Sequence, residues 1–140
     1  MIINSIYAVI ATLGFCILFN IRGKKIIFAS IGGGIGWFVY LLTQSITKSI
    51  YFPLFTASLA IAVYSEIFAR VLKTPVTILA IAAMIPLVPG YGMYYTMYYT
   101  ITGNTSAALK TGIQTFLSAG MIAIALVLVS SLIKVFKNIF

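Results

Sequence analysis

Five apolar stretches, separated by short polar connections, account for almost the whole chain. They run over residues 2–19, 26–44, 53–70, 76–101 and 111–136. Because about 20 apolar residues in a helix cross the hydrocarbon core of a bilayer, each stretch predicts a membrane-spanning helix. The pattern therefore predicts an all-α fold: a polytopic membrane helix bundle of about five transmembrane helices, forming one domain over residues 1–140.

The fourth stretch is interrupted by the sequence PLVPG. Pro86 and Pro89 lack the backbone N–H groups that would bond the carbonyls of Ala82 and Ile85, and Gly90 lets the backbone turn. We expect two half-helices, the first ending in carbonyls that suit an ammonium group and the second beginning with N–H groups that suit a carboxylate. Non-helical backbone at membrane depth is tolerated where it is buried in protein or lines a watered cavity, so the break predicts a polar cavity beside it. The alternative is a simple proline kink, and a segment that re-enters instead of crossing remains open.

Five tyrosines follow this break. At helical spacing they fall on one face, which comprises Tyr91, Tyr94, Tyr95, Tyr98 and Tyr99. The face is interpreted either as part of a substrate pathway, with Tyr91, Tyr94 and Tyr95 as candidate residues, or as an aromatic belt at the membrane interface.

Composition agrees with a membrane protein and excludes most enzyme chemistry. Of the 140 residues, 62% are hydrophobic and 7% are charged, and the mean hydropathy is +1.15. Glu66 is the one carboxylate, Cys16 is the one cysteine, and the chain has no histidine. Paired-carboxylate catalysis, a histidine triad and a protein-only zinc site therefore cannot be built. We predict neither an enzyme nor a site for a metal or cofactor.

The basic residues predict how the chain is oriented. The net charge is +8, but the basic side chains are scattered between apolar stretches, which does not favour nucleic-acid binding. Counted over alternate connections, seven lie on one side and two, Lys48 and Lys110, on the other. The positive-inside rule then predicts that the N-terminus lies outside and the C-terminus in the cytoplasm. We expect the membrane to be a bacterial cytoplasmic membrane.

Glu66 and Arg70 are a candidate pair on the third stretch. They are four residues apart, with the acid before the base, which favours an ion pair on one helix face. An acid within the membrane is a candidate for ion or proton coupling. The alternative is that Glu66 only neutralises Arg70 near the interface, and the sequence does not decide between these roles.

Small residues in the second and fifth stretches predict close helix packing. Gly32 and Gly36 stand one turn apart in SIGGGIGW, and Gly120 lies in a weaker version of the same pattern. Trp37 and Tyr40 follow the glycines and are interpreted as anchors at the membrane interface.

Four segments together carry a family resemblance: GFCILFN, GGGIGWFVYLL, ASLAIAVYSEIFARVLKTP and IPLVPGYGMYYT. In this order they resemble the C-terminal half of the threonine/serine exporter family (ThrE type), in the split form where a small subunit is a separate chain. The motif positions that carry over are Glu66, Arg70, Pro75, Pro86, Pro89, Gly90 and Tyr94.

The resemblance implies a secondary exporter of small amino acids, with threonine and serine as type substrates, or of related organic acids, driven by the proton gradient. It also implies a partner, a larger membrane subunit that resembles the N-terminal half of the exporter. Two alternatives remain open: a structural or assembly subunit without a substrate of its own, and a small exporter built from copies of this chain.

Overall fold

The computed structural model describes residues 1–139, and the side chains of residues 1–135. This part of the chain forms no strand. Its helices are α1 (Ile2–Leu18), α2 (Lys24–Ile46), α3 (Tyr51–Val71), α4 (Val76–Met84), α5 (Gly90–Ile101) and α6 (Thr105–Ile139), with a short 3₁₀ turn (Ile85–Leu87) between α4 and α5. The predicted all-α membrane bundle is confirmed.

Three of these helices are long and apolar enough to cross a membrane: α2, α3 and residues Thr105–Val135 of α6. The segment Val76–Leu87 followed by Gly90–Ile101 gives a fourth candidate if the bent pair is one span, and its two parts meet at 60°. The predicted break in the fourth apolar stretch is thus confirmed. The first predicted span is shorter, because α1 has 17 residues, which is the lower limit for a transmembrane helix.

Helix α2 lies between α1, α3 and α4. Its run of glycines brings these neighbours close, because any added Cβ would collide with them. A Cβ on Gly33 would meet Thr12 of α1, and one on Gly36 would meet Ile61 of α3. A Cβ on Gly32 would lie 2.9 Å from the Tyr64 ring. The glycines therefore set how closely the helices of this bundle pack.

The connections α1–α2 and α3–α4 lie at the same end of the bundle. Ile21, Leu72 and Val76 all pack against one buried cluster, formed by Cys16, Ala29, Ala69, Leu79 and Ala82. Most of the basic residues counted above for one side belong to these two connections and their flanking helix ends, so we call this the basic end.

Helices α5 and α6 form a hairpin that differs from the rest. No residue of α5 is buried, and α5 packs mainly against α6. Helix α6 has 35 residues, about 52 Å in length, which exceeds a hydrocarbon core of about 30 Å. Its later part packs on α3 through Ile122, Leu126 and Val129. The hairpin is thus attached to the bundle mainly by α6.

Candidate functional site

The break between α4 and α5 is a 3₁₀ turn followed by an extended residue, Val88, and an inverse γ-turn at Pro89. Val88 has φ −59° and ψ 129°, and Pro89 has φ −76° and ψ 59° before α5 begins at Gly90. The Gly90 N–H donates to the Val88 carbonyl at 2.7 Å, which tightens the turn. The prolines and the glycine thus end one helix and start another within six residues.

One prediction about this break is wrong. The carbonyls of Ala82 and Ile85, expected to be free, both accept hydrogen bonds one residue earlier than in an α-helix. The Ile85 N–H donates to Ala82, and the Val88 N–H donates to Ile85 at 3.2 Å. Because the 3₁₀ turn supplies these donors, the two carbonyls do not form the predicted cation site.

The start of α5 keeps its free donors. It has no side-chain cap. The Met93 N–H donates to the Pro89 carbonyl at 3.1 Å, whereas the N–H groups of Tyr91 and Gly92 have no acceptor in the described part of the chain. Unpaired N–H groups and the helix dipole make this terminus electropositive, which suits a carboxylate.

A cavity of about 370 Å³ adjoins the break. Its wall combines the break itself with three other elements. The lining residues are Trp37 and Tyr40 of α2, Ile50 and Leu54 near the start of α3, Pro86 to Gly92, and Thr111, Gln114, Thr115 and Ser118 of α6. We call this space the break cavity. Its size falls within the range of about 300–1,000 Å³ found for small-molecule sites.

No acidic or basic side chain is among these lining residues. The polar groups are hydroxyls and one amide. The hydroxyls of Thr115 and Ser118 donate to carbonyls of their own helix, at 2.7 and 2.9 Å, so toward the cavity they can only accept. Gln114 is exposed and offers both donors and an acceptor. Such a lining matches a ligand of zero net charge better than an ion, since an unpaired charge would be costly to desolvate there.

Aromatic rings form the other side of the break cavity. The rings of Trp37 and Tyr40 stack with centroids 5.2 Å apart and planes inclined by 30°. The Gln44 amide lies 3.4 Å from the Tyr40 hydroxyl. Aromatic faces of this kind attract ammonium groups. A second, smaller cavity of about 300 Å³, toward α1, also includes Trp37 and Pro86 in its wall, so the break has space on two sides.

The structure brings together only part of the predicted site. Pro86, Pro89, Gly90 and Tyr91 line the break cavity. The remaining candidates do not: they are Glu66, Arg70, Tyr94 and Tyr95. The tyrosine face forms as expected, with ring centroids of Tyr91 and Tyr95 at 4.3 Å and of Tyr94 and Tyr98 at 6.4 Å.

Glu66 lies far from the break along α3. It is twelve residues beyond Leu54, or about 18 Å along the helix axis. Glu66 is half-buried and Arg70 is exposed, and no ion pair between them forms among the side chains that the structure describes. Of the predicted packing glycines, Gly32 and Gly36 lie against α3, whereas nothing lies within 4 Å of an added Cβ on Gly120.

Sequence reasoning missed half of the cavity wall. The sequence pattern predicts Trp37 and Tyr40 as interface anchors and does not single out Gln114, Thr115 or Ser118. The available signal was the rarity of polar groups within an apolar helix: Gln114 is the one amide side chain in residues 111–136. The sequence around Gln114, however, does not show which other helices lie next to it.

Comparison with known proteins shows which family this chain belongs to. No solved structure matches the chain. The family model described as Threonine/Serine exporter, ThrE, matches residues 4–132, which include all the lining residues of the break cavity. A match over nearly the whole chain shows membership, so this chain belongs to the threonine/serine exporter family.

Proposed function

We propose that this chain is a subunit of a secondary exporter of threonine, serine or a similarly small amino acid, and that the amino acid binds in the break cavity. One observation carries the proposal: an uncapped helix start and a stacked Trp37–Tyr40 pair line one cavity that has no acidic or basic side chain. A zwitterion is neutral overall but carries two separated charges. The cavity offers a different partner for each.

The carboxylate end would be held by α5. The N–H groups of Tyr91 and Gly92 are free to donate, and the dipole of a 12-residue helix adds favourable electrostatics. Gly92 itself packs against Thr115 so closely that an added Cβ would collide with it. Helix α6 therefore fixes the position of these donors.

The ammonium end would be held by Trp37 and Tyr40. Cation–π attraction is worth about 0.5–2 kcal/mol, more when water is excluded. The hydroxyl oxygens of Thr115 and Ser118, across the cavity on α6, have lone pairs left to accept hydrogen bonds from the ammonium group. No carboxylate is required, which fits a chain whose one acid lies elsewhere.

Competition by substrate analogues tests this binding mode. The assembled exporter in membrane vesicles is loaded with labelled threonine and challenged with threoninol, which lacks the carboxylate, or 3-hydroxybutyrate, which lacks the ammonium group. We expect unlabelled threonine to compete and each analogue to compete at least tenfold less well. Equal competition by 3-hydroxybutyrate would show that the aromatic pair plays no part in recognition and would favour an exporter of organic acids.

Proton coupling is proposed for Glu66. It is the one carboxylate of the chain and lies half-buried on α3. If it carries the proton, Glu66→Gln abolishes uphill export driven by a pH gradient but leaves threonine exchange at equal pH intact. Loss of both activities, or of neither, would contradict a coupling role. Lys48→Gln serves as a control for an altered charge.

A larger membrane subunit is proposed as the partner, with the N-terminus of this chain outside and the C-terminus in the cytoplasm. Two features support a partner: α5 has no buried residue, and a groove of about 510 Å³ between α5 and α6 is lined by apolar side chains and threonines. Purification from the native membrane in mild detergent, with mass spectrometry of stoichiometric companions, tests this. Recovery of the chain alone would favour an assembly of identical copies.

A further inference from the structure

We propose that the basic end of the bundle binds one anionic phospholipid, with its headgroup phosphate between Arg22 and Lys25 and an acyl chain along α4. This site is separate from the break cavity and does not depend on the transported substrate. Two adjoining spaces in the structure carry the proposal, one polar and basic, the other apolar.

The basic space is a cavity of about 450 Å³ formed by the α1–α2 connection, the start of α2 and α4. Its lining residues are Phe19, Asn20, Ile21, Arg22, Lys25 and Ile78. Two cationic side chains thus face one cavity whose lining holds no acid. A phosphate group would supply the missing negative charge and accept hydrogen bonds from both.

The connection holds Arg22 in place. Asn20 adopts the left-handed conformation, with φ 55°, and its side-chain oxygen accepts a hydrogen bond from the Arg22 Nε at 2.9 Å. The Ile21 N–H donates to the Cys16 carbonyl at 3.0 Å, which closes the end of α1. The remaining guanidinium N–H groups are left for a ligand.

The start of α2 contains charges that its own helix disfavours. Lys24 and Lys25 lie in the first turn, which has neither an acidic residue nor a side-chain cap. Cations at this positive end of a helix dipole are destabilising. A bound anion would offset this cost, which gives a physical reason for lysines in this position.

The apolar space extends from the basic cavity along α4. It has a volume of about 250 Å³ and shares three lining residues with the first: Phe19, Ile21 and Ile78. Its other lining residues are Thr77, Ile81 and Ala82. A basic headgroup site joined to an apolar groove fits a phospholipid better than a free phosphate, which would use only the first space.

Native mass spectrometry of the purified chain in mild detergent tests the proposal. Phosphatidylglycerol and phosphatidylcholine with identical acyl chains are titrated in turn. We expect phosphatidylglycerol to bind at least tenfold more tightly, and its affinity to fall about fivefold for each charge removed in Arg22→Ala and Lys25→Ala. The matched control, Lys48→Ala with Lys110→Ala, removes two charges elsewhere and should change the affinity less than twofold.

Three outcomes would overturn the proposal. One is an equal loss of phosphatidylglycerol affinity in the Lys48 and Lys110 control, which indicates general charge attraction. Another is unchanged affinity in the Arg22 and Lys25 variants. The third is displacement of phosphatidylglycerol by glycerol 3-phosphate at equal concentration, which indicates a site for a free anion. If the charge variants aggregate, Thr77→Phe replaces them: it narrows the groove, and unchanged phosphatidylglycerol binding would then contradict the acyl-chain part.

Discussion

The bundle around α2 and the hairpin of α5 with α6 differ in how deeply their helix contacts are buried. In the bundle, four glycines of α2 lie buried against side chains of neighbouring helices. In the hairpin, Gly92 lies against Thr115 and the hydroxyl oxygens of Thr96 and Thr111 are 3.2 Å apart, but no residue of α5 is buried. The break cavity lies between these two regions.

This difference assigns different roles to the two walls of the cavity. Trp37 and Tyr40 belong to the bundle, which we expect to be rigid because the glycines of α2 bring its helices into close contact. The free N–H groups belong to α5, which has no buried residue and packs mainly against α6. We therefore expect the hairpin to move against the bundle during transport.

The largest effect is expected from crowding the bundle. An added Cβ in Gly33→Ala would collide with Thr12, whose branched side chain cannot move away easily. We expect a loss of about 1–3 kcal/mol in stability, measured by thermal unfolding in detergent. Gly14→Ala is the control, because nothing lies within 4 Å of that position. Equal stability of both variants would show that the glycine contacts do not hold the bundle together.

The next effect concerns the orientation of the hairpin. Pro89→Ala gives residue 89 an N–H that competes for the Ile85 carbonyl and favours a straighter helix. Turning α5 away removes a dipole interaction of up to about 2 kcal/mol, so threonine affinity should fall by up to about thirtyfold. Pro75→Ala, at the start of α4, should leave affinity unchanged. Transport assays in vesicles measure the apparent threonine affinity. Unchanged affinity in Pro89→Ala would refute a role for the break in threonine binding.

Sequence alone predicts the break and a polar cavity beside it, but not which residues of other helices line that cavity. The missing N–H groups of Pro86 and Pro89 are a local property, so the pattern gives the end of α4 and the start of α5 directly. The Ala82 and Ile85 carbonyls accept hydrogen bonds because the backbone forms a 3₁₀ turn around Pro86, and the sequence pattern does not predict that conformation. Trp37 and Gln114 line the cavity because their helices, α2 and α6, both lie beside the break. Periodicity within one segment does not show which helices are neighbours.

A smaller effect is expected at the aromatic wall. Trp37→Leu removes a cation–π partner but keeps an apolar side chain, so threonine affinity should fall by about 0.5–2 kcal/mol, or about two- to thirtyfold. Trp37→Phe should retain part of the affinity. The apparent affinities of both variants for threonine, measured in vesicles, decide this. If Trp37→Leu and Trp37→Phe have the same affinity for threonine, the aromatic face does not contact the ammonium group.

The smallest effect is expected within the hairpin. Thr96→Val removes the hydroxyl contact with Thr111 and should lower stability by about 0.6 kcal/mol, the average for such contacts in membrane proteins. Thr100→Val is the matched control, because that hydroxyl donates only to its own helix, at 2.7 Å. Thermal unfolding in detergent compares the two. A larger loss in Thr100→Val would place the helix contact elsewhere.

Protection of the break cavity by threonine is the most direct test of whether the substrate binds there. In a Cys16→Ser background, Gln114→Cys places one thiol in the cavity wall and Ser45→Cys places one outside it. Labelling by a maleimide is followed in the assembled exporter with and without threonine. If threonine binds in the break cavity, it slows labelling at position 114 but not at position 45, and 3-hydroxybutyrate has no effect on either. Unchanged labelling at position 114 in an exporter that still transports threonine would contradict binding in the break cavity.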